Sequence, residues 1–272
     1  MDRSLFTTTM IAAAVLACSI PPPVRANEPA SPYVSASFST LPTTWDGPVQ
    51  AVIRFTIEPQ WHLYWSNPGD AGLPPTIRWS MPYGFRAGPL QFPTPTKIAA
   101  DGLLAYGYFH ELILVTTITP PAGYQRDPRD SIHAEIDWLV CKESCLPGRS
   151  TLSLPCVGSG IDHAGTLQLL DRFAQASPVP WSGAAKDTSF VTACPTDTGV
   201  VLRFDPGMHV DDFYPDLVEN AVVDHASIRV NARQVSLRVH PSGPHAVINR
   251  LRGILVAGVK AFSIDLPVHI QN

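Results

Sequence analysis

Apolar and polar residues alternate over 49–58, Val-Gln-Ala-Val-Ile-Arg-Phe-Thr-Ile-Glu, and again over 132–140, Ile-His-Ala-Glu-Ile-Asp-Trp-Leu-Val. Successive side chains of a strand point to opposite faces, so each stretch predicts a strand with one buried face. Residues 112–118, Leu-Ile-Leu-Val-Thr-Thr-Ile, are β-branched and apolar, which predicts a more deeply buried strand. A short strand is expected at 151–154. Turn clusters separate these runs at Asn67-Pro68-Gly69-Asp70, Gly72-Leu73-Pro74-Pro75 and Pro120-Pro121-Ala122-Gly123. Short strands at this spacing predict an all-β chain with a β-sandwich.

The period changes once. Over 161–175, Ile161, Leu167, Leu170, Phe173 and Ala174 fall near helical spacing, and Pro178 and Pro180 end the run. This segment is expected to be a short helical connector. Strand-like patterns return at 188–205, 227–239, 246–257 and 262–269. The expected organisation is therefore a first domain over 27–160, a helical connector and linker over 161–187, and a second small β-rich domain over 188–272.

The amino-terminal 26 residues are excluded from the fold. Phe6–Ala17 is a short apolar run behind Arg3, broken by Pro21-Pro22-Pro23, and Val24-Arg25-Ala26 has the small-residue pattern of a signal-peptidase site. Val15-Leu16-Ala17-Cys18 also fits a lipobox, in which Cys18 would carry lipid, but the Pro-rich segment and Val24-Arg25-Ala26 favour cleavage after Ala26. No later run reaches the ~18 apolar residues that a membrane helix needs, so no transmembrane segment is expected in the mature chain. An exported, periplasmic location follows.

Composition adds to this picture. Hydrophobic residues make up 45% of the 272 and charged residues 15%, as in globular chains. The 28 prolines argue against long helices. The net charge is −4, and no basic cluster is large enough to bind nucleic acid.

Beyond Cys18 there are four cysteines: Cys141, Cys145, Cys156 and Cys194. An even number in an exported chain permits disulfides. Proximity favours Cys141–Cys145, which leaves Cys156–Cys194 as a candidate structural bridge. The segment is Trp138-Leu-Val-Cys141-Lys-Glu-Ser-Cys145-Leu-Pro147. In an extended strand these two Cα atoms would lie roughly 13 Å apart, whereas a disulfide needs about 4.4–6.8 Å. The chain must therefore turn at Lys142-Glu143-Ser144. Lys142 would lower a neighbouring thiol's pKa and Glu143 would oppose it. Spacing alone leaves three readings: a redox-active pair, a static hairpin disulfide in a non-catalytic binding or scaffold protein, and a Cu(I)-handling thiolate pair. No histidine has close ligand spacing to the pair, so no metal site is assigned, and no cofactor motif is present.

Cys141-Lys-Glu-Ser-Cys145-Leu-Pro147 resembles the active-site segment of the periplasmic amino-terminal domain of the DsbD reductases, and more closely that of the related ScsB-type proteins. Trp61-His-Leu-Tyr64-Trp-Ser-Asn-Pro68-Gly69-Asp70-Ala-Gly72-Leu73-Pro74 resembles the family's W-x-x-Y-W-x-x-P-G-D-x-G-x-P stretch. Trp79, Phe92-Pro93 and Gly107-Tyr108 follow in the expected order, so the likeness covers about 30–155. Asp212-Phe213-Tyr214-Pro215 and Leu251-Arg252-Gly253 resemble the second periplasmic domain of ScsB-type proteins more loosely.

The resemblance implies an immunoglobulin-like sandwich whose cysteines relay electrons from a membrane-embedded DsbD/ScsB-type reductase to thioredoxin-like periplasmic proteins. Cys141 and Cys145 would be that redox pair of a protein-disulfide reductase, with Cys141 joined to the partner. His62 and Tyr64 fall where the family has aromatic residues flanking the site. Tyr64 matches in type and His62 does not. The DsbD cap loop would correspond to Asp101–Phe109, which gives Leu104 and Tyr106 a shielding role, although the acidic pair and the cap Phe are not in register. DsbD itself separates its cysteines by more residues than the three seen here, and its membrane reductase and thioredoxin-like domain are not in this sequence. A separate membrane protein is therefore expected to supply electrons. The four tryptophans Trp61, Trp65, Trp79 and Trp138 are assigned to the sandwich core.

Overall fold

The computed structural model describes residues 32–41, 45–100, 102–157, 162–181, 191–196, 199–231 and 234–270. The expected signal peptide, including Cys18, lies outside the described residues. Among the described residues, eighteen strands and one helix form an immunoglobulin-like sandwich, a connector, and a second β-rich domain.

The first sheet contains β1 (Val34–Thr40), β2 (Val49–Ile57), β5 (Arg86–Ala87) and β8 (Glu111–Thr119), in the order β1-β2-β8-β5. The second contains β3 (His62–Gly69), β4 (Thr76–Ser80), β6 (Thr96–Ala100), β7 (Leu103–Phe109), β9 (Ser131–Cys141) and β10 (Cys145–Pro155). Its order is β10-β9-β3-β7-β6, with β4 also paired to β9. The alternation in β9 buries Ile132, Ala134, Ile136, Trp138 and Val140. Phe55 of β2 meets Trp138 edge to face at 5.7 Å in the core between the sheets. Trp65 is also fully in this core, and Trp61 and Trp79 pack on it half-buried.

The apolar run in β8 has two buried faces. Leu112 and Leu114 enter the sandwich core, while Ile113 and Val115 pack with Val52 against the helix α1 (His163–Ala176). Asp162 caps this helix by accepting a hydrogen bond from the Gly165 amide at 2.9 Å. Ser177 leaves helical geometry, as the residue before a proline tends to. The buried face keeps Leu170 and Phe173 of the predicted set, while Ala174 is exposed. Phe173, Leu169 and Leu170 pack inward and Leu167 is exposed, while Ile161 lies outside the described residues.

The second domain contains β11 (Val179–Pro180), β12 (Val191–Thr196), β13 (Gly199–Phe204), β14 (Asp212–Pro215), β15 (Ala221–Asn231), β16 (Gln234–Pro241), β17 (Arg250–Ala257) and β18 (Lys260–Ile270). The strand-like stretch over 188–205 contains β12 and β13, which pair with each other. The long β18 joins two groups of strands. It pairs antiparallel with β17 through Pro267, then parallel with β12 at Val268–Ile270.

The two domains share a buried boundary. Tyr214 and Ile254 join the core of the sandwich. The Asn67 side-chain amide donates to the Pro215 carbonyl at 2.8 Å. Lys97 pairs with Asp212 and lies over the Tyr214 ring.

Candidate functional site

Strands β9 and β10 form one hairpin, closed by Lys142, Glu143 and Ser144. The turn places Cys141 and Cys145 directly opposite each other, with their Cα atoms 4.2 Å apart and a disulfide between them. The register continues across the sheet. Cys145 opposes Cys141, Cys141 opposes His62, and His62 opposes Phe109. Directly opposed residues share a face, so four strands present these four side chains in one transverse row. Val140, Leu63 and Tyr108 are their chain neighbours and point the other way, into the sandwich core.

The two sulfurs have different surroundings. Cys141 is 3% exposed, whereas Cys145 is an exposed residue at the start of β10. Tyr64, two positions along β3 from His62, places its hydroxyl 3.6 Å from the Cys145 sulfur. A disulfide sulfur carries no proton, so the phenol is the donor. Burial pushes the Tyr64 phenol above its ordinary pKa, which keeps that donor protonated. His62 meets Tyr64 edge to face at 5.0 Å and lies 5.6 Å from Phe109. Burial lowers the His62 pKa, favouring the neutral imidazole.

The Asn67–Gly72 loop supports Tyr64 from below. Asp70 grips β7 twice: its amide donates to the Leu104 carbonyl at 2.8 Å, and its carboxylate accepts from the Leu104 amide at 2.8 Å. Gly72 has a φ of +105°, and a Cβ there would fall 2.3 Å from the Tyr64 ring. The Pro-Gly-Asp-x-Gly segment is thus the bed on which Tyr64 lies.

Several expected residues stand elsewhere. Tyr106 and Leu104 do not cover the cysteines. Strand parity puts them on the opposite face of β7 from Phe109. Tyr106 is fully buried at the domain boundary, 5.1 Å from the Tyr214 ring and 5.5 Å from the His225 ring. Lys142 is exposed on the hairpin turn, where its amide donates to the Ser144 carbonyl at 3.3 Å. The Cys156–Cys194 bridge is not formed. Cys156 is buried beside Trp45 and Leu154 in the first domain, and Cys194 lies on β12 in the second. Among the described residues no group of three or more His, Cys, Asp or Glu side chains is placed to hold a metal ion, and no helix is long and apolar enough to cross a membrane.

Phe109 and Leu146 were missed from the sequence. Both are partly exposed apolar residues beside the pair, Leu146 next to Cys145 and Phe109 against His62. Phe109 is found only once the β3–β7 register sets it opposite His62, and Leu146, the residue after Cys145, pairs with Val140 one step off the row.

Residues 33–155 match the family model described as thiol:disulfide interchange protein DsbD, N-terminal. Among solved structures, the chain superposes on the N-terminal periplasmic domain of ScsB from Proteus mirabilis with a TM-score of 0.67. Identity is 15%, and the match covers 88% of this chain and 94% of that one. The reduced DsbD N-terminal domain from Neisseria meningitidis matches 47% of this chain and 86% of its own at 14% identity, with a TM-score of 0.31. Comparison with curated proteins finds no match.

Proposed function

Because residues 33–155 belong to the family of DsbD N-terminal domains, we propose that this thiol–disulfide exchange module passes two electrons at a time through Cys141 and Cys145. The donor is a membrane-embedded reductase of the DsbD/ScsB type, and the acceptors are thioredoxin-like proteins of the periplasm. The chain is thus the exported, soluble component of a protein-disulfide reductase. The first domain carries the exchange chemistry, and the second, over 188–272, braces it.

One observation carries this reading: the disulfide closes the tip of a hairpin with Cys145 exposed and a phenol hydroxyl 3.6 Å from its sulfur. A staple needs neither feature. Exchange requires an accessible sulfur and a group that can stabilise its thiolate, and Cys145 is exposed with the Tyr64 hydroxyl beside its sulfur. The sulfur joined to the partner is therefore Cys145 rather than Cys141, which is buried and serves as the resolving thiol. The deciding measurement is the reduction potential of the pair against glutathione. A value above about −300 mV is expected, and one well below it would mark a structural bridge.

A further inference from the structure

His62 stands directly opposite Cys141 and is held between Tyr64 and Phe109. Opposed residues of an antiparallel pair keep their Cβ atoms roughly 4.5–5.5 Å apart on one face, which is within reach of an imidazole. The exchange chemistry assigned to the pair leaves a proton without a destination. Cys141 is buried, so bulk water is not at hand to take its proton. As the resolving group it must nevertheless attack as a thiolate. Resting on the exchange function proposed above, we infer that His62 is the general base that takes the Cys141 proton when the intramolecular disulfide closes, and returns it when the disulfide opens.

The steps balance. The Cys145 thiolate attacks a disulfide such as oxidised glutathione, forms a Cys145–glutathione bond and releases one glutathione thiolate. The Cys141 sulfur then attacks the Cys145 sulfur while its proton passes to the His62 imidazole. The Cys145–glutathione bond breaks, and the second glutathione leaves as a thiolate that recovers the proton from the imidazolium. The dithiol loses two electrons and the glutathione disulfide gains them.

The groups facing the imidazole are Tyr64 on its own strand, Phe109 on β7 and Cys141 on β9. Burial alone shifts its titration, downward, so that it is an acceptor at neutral pH. A phenylalanine at this position could pack on Tyr64 and Phe109 but would accept no proton.

The test uses the reduced full chain, oxidised glutathione, rapid acid quenching and mass spectrometry to follow the mixed disulfide. His62→Phe keeps the packing against Tyr64 and Phe109, and His62→Gln keeps polarity. Both are expected to form the adduct at the wild-type rate and to resolve it about 100-fold more slowly. Both should also lose the wild-type inflection in the resolution rate below about pH 6.5. Resolution by His62→Phe at the wild-type rate with an unchanged pH profile would overturn the assignment, as would equal slowing of both steps. Failure of the wild-type chain to form any adduct would instead overturn the exchange function, and the role of His62 with it.

Discussion

The hydroxyl of Tyr64 donates to the sulfur of Cys145 across 3.6 Å, joining residues 81 apart in sequence. The same proton can stabilise the thiolate that appears when the pair is reduced. Tyr64→Phe keeps the ring on Gly72 and removes only the donor. The Cys145 thiol pKa should then rise by about one unit, since a hydrogen bond to a charged group contributes about 1.5 kcal/mol or more. Peptide-resolved alkylation of the reduced protein as a function of pH measures this. An unchanged Cys145 profile would mean that the phenol has no electrostatic role.

The difference in exposure between the two sulfurs makes a second prediction. Cys141→Ala leaves the exposed Cys145 without its resolving partner, so its thiolate should attack a thioredoxin-fold protein whose single active-site cysteine is pre-loaded as a disulfide with thionitrobenzoate, expel that thiolate and accumulate the protein–protein mixed disulfide. Cys145→Ala leaves only the buried Cys141 and should trap little. Non-reducing electrophoresis separates the two outcomes, and stronger trapping by Cys145→Ala would reverse the assignment.

Gly72 tests the bed beneath Tyr64. A side chain there meets two obstacles: a φ of +105° and a Tyr64 ring atom at 2.3 Å. Gly72→Ala should lower stability by about 2 to 4 kcal/mol and slow exchange by moving the Tyr64 hydroxyl. Adding Tyr64→Ala removes the ring but not the backbone strain. The double variant should therefore be less destabilised than the sum of the singles, a coupling that denaturant titration can measure.

Local pattern showed the sandwich strands β2, β8 and β9, the last residues of β10 and the turn between the cysteines, because period-two alternation and a three-residue turn are written within a few positions of each other. It did not show which strands lie side by side, and the errors follow from that. Tyr106 looked like a shield because its stretch corresponds to the family's cap loop, yet one step of strand parity sends it into the core and onto Tyr214 and His225. Cys156 and Cys194 looked like a pair by elimination, yet the fold puts them in different domains. Phe109 went unnoticed because only the β3–β7 register brings it to His62. The site is a row across four strands, and no single stretch of sequence contains a row.

The domain boundary should make stability depend on pH through His225. Its ring is 7% exposed and lies against Tyr106. Burial lowers its pKa, and Asp70 and Asp224 only partly oppose the shift. Between the lowered folded value and the unfolded value of about 6.5, the unfolded chain binds more protons than the folded one. The unfolding free energy therefore rises with pH in that window. The stabilisation is complete above the unfolded value and is lost as pH falls toward the folded one. Carboxylates and His62 titrate in both proteins, so the comparison that isolates His225 is wild type against His225→Gln. Urea midpoints taken between about pH 5 and 8 should fall more steeply on acidification for the wild type. Parallel curves would show that the boundary tolerates a charged His225.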